Sequence, residues 1–379
     1  MLPSVAIIGT RGYPSYYGGF ETAVRKLAPY LADEGWDVTV YGRPGATRPG
    51  DPNRDERVRT VETWGLETKS LSTLSFGLSA ALHAAREKPD VALVMNCANG
   101  YWLPILKRAG IPTLVNVDGI EWDRAKWGRV AKWVFKTGAK WTAKYGDRLV
   151  FDAHEIARRW NDEFDRDGDY IPYGGEFVDE ELPIEPGLEH RGYALMVARF
   201  VPENTVPEFF GAAPAIAEHT DVVIVGSSGY GGELDDRARE LAATNPRIHW
   251  FGHVSDDRRL FSLWQHAGAY FHGHSVGGTN PALVQAMALG APTIARDTRY
   301  NREVLPEGSW LCEPTADAIS EAVVAMLNDR DNQDASAEAN QARAADLFTW
   351  QQICNRYSSS LRARLSWPSG LPSLAREGG

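Results

Sequence analysis

Residues 272–287, HGHSVGGTNPALVQAM, run from two histidines through two consecutive glycines and Thr-Asn-Pro into an apolar segment with helical spacing. Asn280 is a good N-cap and Pro281 fits the first helical position, so the sequence predicts a helix from about Pro281 to Leu289, stopped by Gly290. Gly277 and Gly278 then precede the helix. With no side chains there, an anion could meet the N–H groups of Thr279 and its neighbours; the alternative is a well-capped core helix with a tight loop. A second loop of this kind, GTRGYPSYYGGFET, puts Gly18 and Gly19 ahead of a helix starting near Phe20. A dinucleotide fold would want G-x-G-x-x-G here and a carboxylate ending the next strand. Gly9 and Gly12 miss that spacing and Arg43 stands at the strand end, which weighs against an oxidoreductase. Arg199 follows the strand in YALMVAR. Its guanidinium suits a diphosphate, which it can grip with two parallel bonds, although a solvent-facing arginine would read the same. Asp235 with Asp236 and Asp256 with Asp257 lie in polar segments and not at strand ends, so a divalent metal is not expected.

The elements that must hold these residues are legible as an alternation. Short β-branched runs bounded by turn residues recur: VAIIG, DVTVYG, VRTVETW, DVALVMN, PTLVNVD and RLVFDA, then YALMVAR, DVVIVGS, RIHWFGH, AYFHGH and PTIARD. Helical spacing lies between most of them, as in Phe20, Val24, Leu27 and Leu31 before Gly35. Strand and helix alternating in this way predict parallel sheets built from βαβ units. Two series imply an α/β protein of two doubly wound, Rossmann-like domains with ligands in the cleft between them. The acidic, proline-containing stretch 179–192 is the expected seam. It gives domains of 1–188 and 189–365, with the last helix free to pack back on the first domain and a loose tail over 366–379.

Bulk properties agree and exclude other classes. At 379 residues, the chain is too long for one ordinary core. A net charge of −10 opposes general nucleic-acid binding, and 43% hydrophobic with 24% charged residues describe a globular protein. Cys97, Cys312 and Cys354 are widely spaced and form no CxxC pair, which suits reduced thiols in a cytoplasm. No basic region precedes the first apolar run, and no apolar stretch nears the roughly 20 residues that cross a bilayer, so any membrane contact is expected to be peripheral.

The segments IIGTRGYPSYYGGFET, VDGIEWDRAKW, ARFVPEN, HGHSVGGTNPALVQAM and NREVL together resemble the family-4 glycosyltransferases of the GT-B fold, in particular a bacterial rhamnosyltransferase-like group that builds surface polysaccharides. The resemblance runs from the first strand to about Tyr357. It implies a retaining, metal-independent hexosyltransferase with no cofactor beyond its co-substrate, a dTDP-, UDP- or GDP-linked sugar such as a rhamnose donor. It also implies a glycan acceptor, lipid-linked or carried on another macromolecule, and action in the cytoplasm, at the inner face of the plasma membrane if the membrane is touched. By the same resemblance Arg199 binds the donor diphosphate, Gly18 and Gly19 approach it from across the cleft, and Gly277, Gly278, Thr279 and Asn280 form the donor loop. Residues 251–254, with His253 and Val254, receive the nucleobase, and Glu303 in NREVL is a donor-side residue unless it makes an i, i+4 surface pair.

Two positions depart from the general family. Asn204 replaces a lysine, which reads as subgroup identity. Gly277 and Gln285 stand where the family has glutamates eight apart, and the second of these binds the ribose hydroxyls. Gln285 can still accept a hydroxyl hydrogen bond, without the charge assistance of a carboxylate, and a deoxyribose donor would lessen the cost. A non-catalytic nucleotide-sugar-binding protein is the rival that this exchange raises.

Candidate acid/base groups are Asp118 and Glu121, which could orient an acceptor hydroxyl or take its proton, or could cap the following helix. His274 or its neighbour His272 could hydrogen-bond the transferring sugar, or pack beside Tyr270 and Phe271. Within residues 124–148, Lys132, Lys136, Lys140 and Lys144 recur at helical spacing, with Trp127, Val134, Trp141 and Tyr145 as a second stripe. Such a helix suits an anionic membrane surface or an acceptor diphosphate, with Lys132, Lys136 and Lys140 as contacts; alternatively the apolar stripe packs on the sheet and the lysines are solvated.

Overall fold

Runs such as VALVM are apolar on both faces, which only a sheet covered on both sides can bury. The computed structural model, which describes residues 2–16, 18–47, 50–67, 72–124, 127–229 and 231–365, holds two such sheets. The first contains β1 (Ser4–Ile8), β2 (Asp37–Gly42), β3 (Arg59–Glu62), β4 (Val91–Met95), β5 (Thr113–Asn116), β6 (Arg148–Phe151) and β7 (Gly168–Tyr170) in the order β3-β2-β1-β4-β5-β6-β7. The second contains β8 (Tyr193–Val197), β9 (Asp221–Val225), β10 (Ile248–Gly252), β11 (Ala269–His272), β12 (Thr293–Arg296) and β13 (Trp310–Cys312) in the order β10-β9-β8-β11-β12-β13. Every pairing is parallel, so both domains are doubly wound as expected. The edge strands β7 and β13 did not stand out in the sequence, because three residues carry no pattern.

Each chain order reverses beside the first strand of its sheet, between β1 and β4 and between β8 and β11. A crevice opens beyond the strand ends at such a switch point. The loops after β1, β4, β8 and β11 are therefore the ones presented to a ligand.

The chain crosses between the domains twice, at one place. Gly175 N donates to Phe348 O at 2.8 Å, and Gly175 bridges Thr349. Beyond the second crossing, the helix Trp350–Leu365 returns to the first domain, where Ile353, Cys354, Tyr357 and Leu361 pack with Val5, Ile7 and Leu93. Asn116 Nδ2 donates to the Tyr357 hydroxyl at 2.7 Å. The acidic stretch 179–192 lies past the first crossing and packs on the second domain. Leu182 N donates to Gln265 Oε1 at 2.8 Å and Glu185 pairs with Arg259 at 2.6 Å. The tail expected to be loose, 366–379, lies outside the described residues. Among the described residues no helix is long and apolar enough to cross a membrane.

Candidate active site

A cleft of about 1300 Å³ separates the domains and is lined by the loops at both switch points. Two helices point their N-termini into it. Gly18 precedes the helix Gly19–Asp33, and Asn280 caps the helix Pro281–Ala288 by accepting from Ala282 N at 2.9 Å. The second helix ends one residue earlier than its spacing predicts, with Gly290 in the left-handed region at φ 68°. The two starts nearly touch: a Cβ on Gly19 would sit 3.4 Å from Pro281 Cγ. The N-termini of both helices thus converge on one space, where an anion gains from both dipoles.

The glycines of the second loop are needed for two different reasons. Gly277 has φ 109°, a conformation other residues rarely adopt. Gly278 leaves room for a carboxylate: a Cβ there would fall 1.9 Å from Asp152 Oδ1. Asp152 follows β6 and also carries the next link. Its carbonyl accepts from Thr279 N at 3.2 Å and from the Thr279 hydroxyl, so the Thr279 N–H expected to meet a ligand is already engaged.

Arg199 is exposed at the cleft wall after β8, and its carbonyl accepts from Asn204 Nδ2 at 2.9 Å. That bond turns Asn204 Oδ1 toward His274 Nδ1, 2.7 Å away. His274 must therefore donate from Nδ1, leaving Nε2 as an acceptor. Burial, helped by His272, Arg124 and Arg199, pushes the His274 pKa well below the ordinary histidine value, so the ring is neutral. His272 is fully buried after β11, with its pKa pushed to about 3 by burial. Asn204 thus ties Arg199 to His274, a link its spacing in the sequence does not reveal.

Three carboxylates come from the first-domain segments that follow β5 and β6. Asp118 follows β5 with φ 63°; its Oδ2 accepts from Asn96 Nδ2 at 2.9 Å and it lines the cleft. Glu121 is 5% exposed, lies 2.6 Å from Arg124 Nε and accepts from Trp127 Nε1 at 2.7 Å, so its charge is neutralised inside the wall. Arg124 also reaches across, with a guanidinium nitrogen 3.3 Å from the place of a Cβ on Gly277. Asp152 is buried, and burial together with Asp118 raises its pKa to about 8. Neither Arg124 nor Asp152 stood out in the sequence as a site residue, since a single residue after a strand gives no spacing signal.

Glu303 does not line the cleft. Its carboxylate accepts from His154 N and Glu155 N, both at 2.8 Å, and so caps the helix His154–Phe164 of the other domain. Its carboxylate is thus engaged by a helix of the other domain and not by a surface pair along its own helix. Burial raises its pKa.

His253 and Val254 line the second-domain wall, His253 exposed. Gln285 lines it too, but its amide is used at both ends by the main chain of Glu176: Oε1 accepts from Glu176 N at 2.9 Å and Nε2 donates to Glu176 O at 2.8 Å. A glutamate at 285 could only accept, so the amide fits this two-way clasp at the domain crossing.

The helix Arg129–Tyr145 buries Gly138, Ala139 and Thr142, while Trp133 and Trp141 are 67% and 38% exposed. Lys136 and Lys140 are exposed and Lys132 half-buried, with Lys136 3.4 Å from Glu163. Trp127 and Val134 face the cleft, so one end of this helix is part of its wall. Among the described residues, no group of three His, Cys, Asp or Glu side chains is placed to hold a metal ion.

Two family models match the chain in tandem. One, described as "Glycosyl transferase 4-like domain", covers residues 18–174, and another, described as "Glycosyl transferases group 1", covers residues 178–343. No curated relative matches the sequence. Among solved structures, the fold is shared with sucrose-phosphate synthase from Thermosynechococcus elongatus (TM-score 0.76, 19% identity, 95% of this chain and 98% of that one). It is also shared with Anabaena HepE in complex with UDP-glucose (TM-score 0.73, 13% identity, 96% and 100%). A third is the UDP-forming alpha,alpha-trehalose-phosphate synthase from Burkholderia vietnamiensis (TM-score 0.69, 13% identity, 96% and 99%).

Proposed function

The chain belongs to the GT-B glycosyltransferases, and we propose that it transfers a hexose or deoxyhexose, with rhamnose the first candidate, from a nucleotide diphosphate to an acceptor hydroxyl. The observation that carries this reading is the convergence of two helix N-termini, with Arg199 beside them, on one interdomain space. A diphosphate placed there meets two positive dipole ends and a guanidinium. That HepE is solved with UDP and with UDP-glucose supports the same class of donor.

On this reading the nucleobase rests against residues 251–254, the diphosphate lies between Gly18–Gly19 and Gly277–Asn280, and the sugar faces His274 and Asp118. His274 Nε2 accepts from a sugar hydroxyl. Asp118 orients the acceptor hydroxyl. The acceptor oxygen bonds to the anomeric carbon as the bond from that carbon to the phosphate oxygen breaks. A phosphate oxygen takes the hydroxyl proton, and the nucleoside diphosphate leaves with the configuration retained. No metal is required, because Arg199 and the helix ends neutralise the leaving group.

The acceptor we propose is a lipid-linked surface glycan at the inner face of the plasma membrane. Exposed Trp133 and Trp141 beside Lys136 and Lys140, on a helix whose other end walls the cleft, support it. Incubating the protein with UDP-, dTDP- and GDP-sugars and analysing products by mass spectrometry tests the donor: transfer or release of a nucleoside diphosphate is expected, and binding without turnover of any donor would refute the enzyme. Sedimentation with anionic liposomes, lost when Lys132, Lys136 and Lys140 become Glu, tests the membrane; absent or salt-insensitive binding would remove it.

A further inference from the structure

Asp152 is 4% exposed, lines the cleft beneath Gly278, and has Oδ1 buried without a hydrogen-bond partner. Gly278 of the donor loop rests on that carboxyl group, which fills the place of its missing side chain. An ionised carboxylate buried beside a diphosphate would be penalised twice, by desolvation and by like charge. Resting on the donor reading above, we propose that Asp152 works as a neutral carboxylic acid that donates a hydrogen bond to an oxygen of the nucleotide-diphosphate sugar over Gly277–Gly278.

The surroundings keep the proton on. Burial and Asp118 raise the pKa to about 8, Glu303 adds to this, and Arg124 opposes it. Tyr170, Tyr173 and Tyr357 also face Asp152, and burial moves all three upward, out of the neutral range. A protonated carboxyl both removes the charge and supplies a donor, which a base at this position would not do. The role differs from that of Asp118, which lies on the acceptor side of the reaction and is held by Asn96.

The test is calorimetric titration of UDP-glucose and dTDP-glucose into wild type, Asp152→Asn and Asp118→Asn between about pH 6.5 and pH 9. Buffers of differing ionisation enthalpy count the protons exchanged. Wild-type affinity is expected to fall about tenfold from about pH 7 to pH 9, with proton uptake on binding above about pH 8. Asp152→Asn keeps a donor of the same shape, so it should bind within about threefold of wild type near pH 7 and show no alkaline loss. An alkaline loss that survives in Asp152→Asn, or that vanishes only in Asp118→Asn, overturns the proposal, as does affinity that rises with pH. Absence of proton uptake by wild type overturns it even if the Asn variant does not fold. If wild type binds neither of these nor GDP-mannose, the donor reading fails and takes this inference with it.

Discussion

Two glycine pairs face each other across the cleft, and they are not the same device. Gly18 has φ −169°, extended backbone open to any residue, and a Cβ on Gly19 would make only ordinary contacts, at 3.4 Å. Neither backbone strain nor packing demands glycine there; on the proposed function the demand comes from the donor in front of the helix. Across the cleft, Gly277 is fixed by its left-handed backbone and Gly278 by the Asp152 carboxyl. The fold leaves room beside one pair, which on the proposed function a ligand uses, while the other is closed by the protein itself.

The largest effect should therefore follow Gly278→Ala. The buried carboxyl would have to be pushed aside at the junction between the domains, so a loss of about 3 kcal/mol is expected in denaturant titration, with donor protection abolished. Gln285→Glu should come next, because it loses the bond to Glu176 O and sets two acceptors against each other. About 1–3 kcal/mol is expected, with donor affinity lowered through the loosened crossing. Gly277→Ala should cost about 1–2 kcal/mol, the price of a left-handed backbone with a Cβ.

Asp152→Asn sharpens the same comparison through pH. The Asp152 pKa is raised from an unfolded value near 3.9 to about 8, so its contribution is full below about pH 4 and is lost as pH rises toward 8. The Asn variant escapes that loss, and its melting temperature should gain on wild type steadily from about pH 5 to pH 8. Gly18→Ala and Gly19→Ala sit at the small end for stability, within about 0.5 kcal/mol, yet should weaken donor binding about tenfold. Equal stability losses in both pairs would erase the distinction.

Both sheets and the helix capped by Asn280 were legible because they rest on local signals: period, caps and turn residues; the meeting of the Gly18–Gly19 loop with that helix across the cleft was expected only from the family resemblance. What the sequence hid is long-range. Glu303 reads as a residue of its own short helix, yet it caps a helix 149 residues away. Gln285 reads as a weakened ribose contact, yet its amide is matched to the main chain of Glu176, which only the folded crossing brings near. Asp152 follows a strand like any other polar residue, and the second domain's Gly278 that rests on it is 126 residues away. The doubled glycine did signal more than a cap; half of the reason was a carboxyl from the other domain.

On the proposed function a nucleotide-sugar diphosphate bridges the two helix N-termini. A co-crystal structure with UDP-glucose or dTDP-glucose tests it most directly. Diphosphate oxygens are expected within hydrogen-bonding distance of main-chain N–H groups in both the Gly18–Gly19 and Gly277–Gly278 loops, with Arg199 in contact. A donor bound outside the cleft, or held there without contact from either loop, would contradict it.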